Sequence, residues 1–118
     1  MDNQELKDRT KLFARGVIGI VRAMPEDRVA TPIANQLIRS GTSVAANYRA
    51  ACFAKSRPDF INKLKICIEE VDESAHWMEL IMEEGILPEI AVQYLHGESM
   101  ELLAIFLSSV KTARDDRG

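Results

Sequence analysis

Two pairs with x-x-His spacing come nearest to catalytic chemistry in this chain: Glu73-Ser74-Ala75-His76 and Gln93-Tyr94-Leu95-His96. On a helix such pairs share a face, and di-metal carboxylate bundles use two Glu-x-x-His pairs plus two further glutamates projecting inward. The second pair supplies glutamine, which lacks the bridging charge. Val71, Ala75 and Met78 mark the inner face of their segment, so Glu73 and His76 fall at its edge or outside. The spacing predicts surface residues, with His76 in an exposed ion pair to Asp72 worth about a few tenths of a kcal/mol. No metal or cofactor is expected, and the acidic run Glu69, Glu70, Asp72 and Glu73 reads as a solvated face.

Other chemistries find no better footing. Arg39-Ser40-Gly41-Thr42-Ser43 lacks the further glycine and the lysine of a phosphate cradle. No serine or cysteine sits in a recognisable nucleophile turn. Cys52 and Cys67 flank a turn near Ser56 unequally, which offsets them by about 10 Å along antiparallel helices. A disulfide needs alpha carbons within about 7 Å, so two free thiols are expected. The chain is expected not to be an enzyme.

The most unusual stretch runs from Arg39 to Arg49, where Ser40, Ser43 and Asn47 border the stripe Gly41, Val44 and Tyr48. These polar side chains read as hydrogen-bonded at a helix contact. The competing reading is a binding surface flanked by Arg39 and Arg49.

Four amphipathic helices, at about 3–24, 31–54, 57–84 and 88–113, must position these residues. Apolar or small residues recur three and four apart at Leu6, Thr10, Phe13, Val17, Ile20 and Met24. Asp2 or Asn3 caps this first segment and Pro25 stops it. Thr31-Pro32 opens the second, with the stripe Ile33, Leu37, Gly41, Val44, Tyr48 and Ala51. Ser56-Arg57-Pro58-Asp59 opens the third, whose stripe is Phe60, Leu64, Ile68, Val71, Ala75, Met78 and Met82, and Gly85 ends it. The fourth follows Pro88, with Val92, Leu95, Ser99, Leu102, Phe106 and Val110 inward; Gly97 weakens its middle and the tail from Arg114 should fray. Strand signals are absent, so the expected fold is all-α: one antiparallel up-down-up-down four-helix bundle.

Hydrophobic residues make up 47% of the 118 and aromatic ones only 6%, so aliphatic packing must build the core and disorder is excluded. The first residues carry no basic segment leading into an apolar one, and no apolar run approaches the about 18 to 20 residues that span a bilayer. A cytoplasmic protein without membrane contact is expected. Apolar residues exceed one stripe per helix, and Trp77, Leu80 and Tyr94 are candidate contacts with a second copy.

The net charge of −3 conceals a division: residues through Ile66 carry +6 and those from Cys67 onward −9. Three readings fit: mutual neutralisation within the bundle, head-to-tail assembly of copies, or a basic face for nucleic acid formed by Arg39, Arg49, Lys55, Arg57 and Lys63. Aromatic residues are not interleaved with these cations, so base stacking has little support.

The pattern Arg39-Ser40-x-Thr42-Ser43-Val44-Ala45-Ala46-Asn47, followed by Ser56-x-x-Asp59-Phe60-x-x-Lys63-Leu64-x-Ile66 and Glu69-Glu70-x-x-Glu73, resembles proteins related to the large-subunit (23S) rRNA intervening-sequence family. The resemblance implies that Arg39, Ser40, Ser43, Asn47, Asp59 and Phe60 form a family motif. It also implies cyclic homopentamers of antiparallel bundles, and for some relatives, the accessory variability proteins of diversity-generating retroelements, binding to reverse transcriptase and nucleic acid. After Asn47 many relatives continue Ile-Ala-Glu-Gly, whereas this chain has Tyr48-Arg49-Ala50-Ala51.

Overall fold

A computed structural model describes residues 1–115 and shows four helices: α1 (Asn3–Ala23), α2 (Ala30–Ala51), α3 (Arg57–Glu83) and α4 (Glu89–Asp115). No strand occurs among the described residues. The bundle is 52 Å long and about 20 Å across. Sequential neighbours pack along their lengths, while α1 and α4 close the square through a much sparser contact.

The helix ends follow local chemistry. Asp2 Oδ1 accepts the Glu5 amide at 2.8 Å and starts α1. At α3, Ser56 Oγ accepts the Asp59 amide at 3.2 Å. Gly85 adopts φ +64° just past α3, and the Ile86 amide reaches back to the Ile81 carbonyl at 2.9 Å, which satisfies carbonyls the helix leaves free. Gly97 does not interrupt α4, and Arg114 and Asp115 are still helical. The rest of the tail expected to fray, from residue 116 on, lies outside the described residues.

Two boundaries differ from the sequence expectation. Thr31 does not cap α2; Asp27 Oδ1 instead accepts the amides of Val29 and Ala30 at 2.9 and 2.7 Å. The carboxylate reaches the free amides one turn earlier, so the helix has already begun when the chain arrives at Thr31. Asp27→Ala should therefore cost about 1 kcal/mol, read by thermal unfolding, whereas Thr31→Ala should cost little. At its far end α2 stops at Ala51 rather than near residue 54. The Phe53 and Ala54 amides bond carbonyls three residues back, at 3.1 and 3.0 Å, tightening the chain into the turn.

The core is aliphatic with three large aromatic members, Phe13, Tyr48 and Phe106. All six α1 stripe residues are buried. On α3 the buried arc turns towards α2: Cys67, Ser74 and Ile81 are fully covered, while Phe60, Ile68 and Met82 are only half-buried. Gly41 lets α1 approach α2 closely, since a Cβ there would lie 2.6 and 2.7 Å from the Val17 methyls and 2.9 Å from its Cβ. Both cysteines are free. Burial, above all, pushes the Cys67 thiol up to about 12, which keeps it protonated and poorly nucleophilic.

Candidate functional site

Two motif residues, Arg39 and Ser40, reach across the seam between α2 and α3. Ser40 and Ser74 are buried there, and Ser74 Oγ donates to Ser40 Oγ at 2.9 Å. A hydroxyl buried with such a partner avoids the desolvation loss of an orphan. Above this pair, Arg39 bridges two turns of α3: one terminal nitrogen lies 3.0 Å from Glu70 Oε2 and the other pairs with Glu73. Trp77 Nε1 donates to the same Glu73 carboxylate at 3.0 Å. That indole bond, reinforced by Arg39, holds the Glu73 carboxyl below its ordinary range. Asn47 donates to the Ser43 carbonyl of its own helix at 2.9 Å, and both are half-buried. Asp59 and Phe60 stand apart from this cluster at the start of α3, Asp59 Oδ2 accepting the Lys55 amide at 3.4 Å.

This geometry changes the reading of two charged groups. Arg39 is spent on its own chain and separates from Arg49, Lys55, Arg57 and Lys63, which make no ion pair among the described residues. His76 forms no ion pair with Asp72; its ring lies edge-on to Trp77, centroids 4.8 Å apart, because the indole offers a larger apolar surface on the same turn. No three His, Cys, Asp or Glu side chains among the described residues are grouped to hold a metal ion. No helix of the described residues is long and apolar enough to cross a membrane.

A second polar contact, not foreseen from sequence, clamps α1 to α4. Arg9 presents Nε and a terminal nitrogen to Glu98, both at 2.7 Å, and the same terminal nitrogen reaches Glu101 at 3.0 Å. The hydrogen bond from Arg9 is the main cause holding the Glu98 carboxyl below its ordinary value. A depressed folded value means the stabilisation is present above the unfolded carboxylate range and is lost as pH falls through the folded one. Glu98→Gln should accordingly flatten the fall in thermal stability below about pH 4.5, the ordinary carboxyl value. On the other side of α4, His96 Nε2 lies 2.8 Å from Glu79 Oε2 and ties it to α3.

Beyond the Arg9 clamp the α1–α4 seam carries no ion pair among the described residues. A Cβ on Gly16 would meet Leu95 at 2.8 Å, which fixes the register of the two helices. Leu12, Gly19 and Ala23 of α1 and Ile90, Ala91, Tyr94 and Gly97 of α4 line this flank, all exposed. Tyr94 is 84% exposed, Ile90 79% and Leu12 62%. Trp77 and Leu80, by contrast, are half-buried on the α2–α3 side.

A four-helix bundle with a serine-bridged, arginine-clamped α2–α3 seam is thus what the motif builds. The chain belongs to the 23S rRNA-intervening sequence protein family, whose profile matches residues 2–108. It is similar to a solved protein of unknown function from the S23 ribosomal protein family of Bacteroides thetaiotaomicron VPI-5482. The two are 31% identical, with a TM-score of 0.86 over 94% of this chain and 99% of that one. Curated proteins give no significant match.

Proposed function

We propose that this protein is a non-enzymatic, cytoplasmic bundle that works by assembling into a closed ring of identical copies. The observation that carries this reading is the cluster of exposed apolar residues on the α1–α4 flank. Exposed single apolar residues are ordinary, but Leu12, Ile90 and Tyr94 cluster in one place on a small chain. Two glycines in the same strip add a separate argument. A Cβ on Gly19 or Gly97 would meet nothing within 4 Å, so neither is required by the fold of one chain. Each nonetheless weakens its helix by about 1 kcal/mol relative to alanine. Close approach of a neighbouring surface gives both a purpose.

Rings form when two unlike faces of a copy meet in rotation. The α2–α3 flank, with half-buried Trp77 and Leu80, lies across the bundle from Tyr94 and supplies the second face. Five copies is the number suggested by the family resemblance. Light scattering at micromolar concentration tests the reading: a multiple of the monomer mass is expected, and a monodisperse monomer overturns it.

A second reading, an accessory protein for nucleic acid or a reverse transcriptase, is favoured by Arg49, Lys55, Arg57 and Lys63, which make no ion pair among the described residues and stand near the α2–α3 turn. Its requirement is RNA or DNA binding that weakens steeply with salt. No binding at low salt removes it.

A further inference from the structure

The two ends of the bundle are unlike. One end gathers the start of α1, the α2–α3 turn and the end of α4, and there Arg49, Lys55, Arg57, Lys65 and Lys111 are exposed. Of the carboxylates near it, Asp2 accepts the Glu5 amide and Asp59 the Lys55 amide, while Glu5 and Asp115 are exposed. The opposite end is the α3–α4 turn, where Glu83, Glu84 and Glu89 are exposed and Arg22 and Arg28 are the nearby cations. The molecule is 52 Å long, several times the Debye length of about 8 Å at physiological salt. One copy therefore cannot neutralise its own ends.

The basic end is also open. The Arg9 clamp and the Gly16–Leu95 contact set α1 against α4 so that the last turns of α4 run past the start of α1. A groove of about 1030 Å³ results, lined by Leu6, Phe60 and Ile105 on its apolar side and by Arg57, Ser108 and Thr112 on its polar side. At the acidic end the turn from Glu83 to Glu89 exposes its three carboxylates and Pro88, while Ile86 and Leu87 are half-buried against the core. Groove and turn match in charge, with the turn's carboxylates set to meet Arg57 in the lining and Lys55 beside it.

We propose that the basic groove receives the acidic α3–α4 turn of another copy, so that molecules, and any rings they form, stack end to end. This contact uses surfaces separate from the α1–α4 flank and does not rest on the ring reading. Its attraction is ionic, so it weakens with salt, whereas burial of Tyr94 and Ile90 does not.

Sedimentation velocity of the full chain, between about 50 mM and about 500 mM NaCl, separates the two. Species heavier than the high-salt form are expected at low salt. Arg57→Glu with Lys55→Glu should abolish only that salt-dependent step, leaving the high-salt mass unchanged. Mixing this variant with a Glu83→Lys, Glu84→Lys variant should restore mixed pairs, since each then supplies one reversed end to the other. An unchanging mass across the salt range, or a salt-dependent step that survives the reversal, overturns the proposal. So does a low-salt RNA complex that depends on Arg57 and excludes stacking, because the basic end would then serve nucleic acid. Loss of the high-salt assembly in Tyr94→Glu, with salt-dependent stacking of the monomers retained, supports the proposal, because stacking then persists without the ring.

Discussion

Gly41→Ala unfolds at a temperature about 4 to 10 °C below the parent protein, corresponding to a net loss of about 1 to 3 kcal/mol. Alanine is the better helix former, so propensity alone predicts a gain of about 1 kcal/mol. The added Cβ, however, would meet both methyls of Val17 and its Cβ inside 3.0 Å. A flexible side-chain tip moves aside at little expense; a β-branched residue fully buried in α1 does not. Relief requires α1 and α2 to part, which loosens the packing of Phe13 and Leu37 as well. The control is Gly19→Ala, where nothing stands within 4 Å of the new Cβ. In a Tyr94→Glu background, which removes assembly, that change should raise the melting temperature. Equal responses at the two glycines, read by thermal circular dichroism, would refute this account of the α1–α2 contact.

Tyr94→Glu should convert the assembled protein to monomers while leaving its helical content intact and its unfolding cooperative, the melting temperature falling only by what assembly contributed. Tyr94 is 84% exposed in the single chain, so its replacement removes no internal packing. Placed in a contact that excludes water, the carboxylate would be left without a partner, and such a group costs several kcal/mol to bury. Gly19→Ala in the otherwise native chain offers an orthogonal check. It stabilises the isolated helix yet thickens the proposed contact, so assembly should weaken while the chain itself grows more stable. A residue with a merely structural role would not separate these two readouts.

Much of the fold was legible because helix signals are local. Asp2, Ser56 and Gly85 act within one turn of where they stand, and the α1 stripe is continuous enough to place all six of its buried residues. The α2 start was misplaced for an equally local reason: Thr31-Pro32 is a good opening signal, but Asp27 sits earlier and is the stronger acceptor. On α3 periodicity found the helix and its inner face but not how far that face widens towards α2, because the width depends on the neighbour.

The site was less legible. Ser40 and Asn47 stood out as polar residues beside a core stripe, yet nothing local reveals that Ser40 meets Ser74, or that Arg39 is spent on Glu70 and Glu73. The Arg9–Glu98 clamp joins residues 89 apart, and no spacing rule links them. The division of charge along the chain was visible, and two of its consequences are now distinct. Arg9 and Arg39 neutralise acidic residues of α3 and α4 within the molecule, while exposed Arg49, Lys55 and Arg57 stand at the opposite end of the long axis from exposed Glu83, Glu84 and Glu89.

The proposed joining of copies into a ring through the exposed apolar residues of the α1–α4 flank is tested most directly by the mass of the protein in solution. Multi-angle light scattering on the eluting peak, at high salt to suppress contacts between ends, should give about five times the 13.2 kDa chain mass, falling to one chain for Tyr94→Glu. A native peak of a single chain, or an assembly of unchanged mass in the variant, would contradict it.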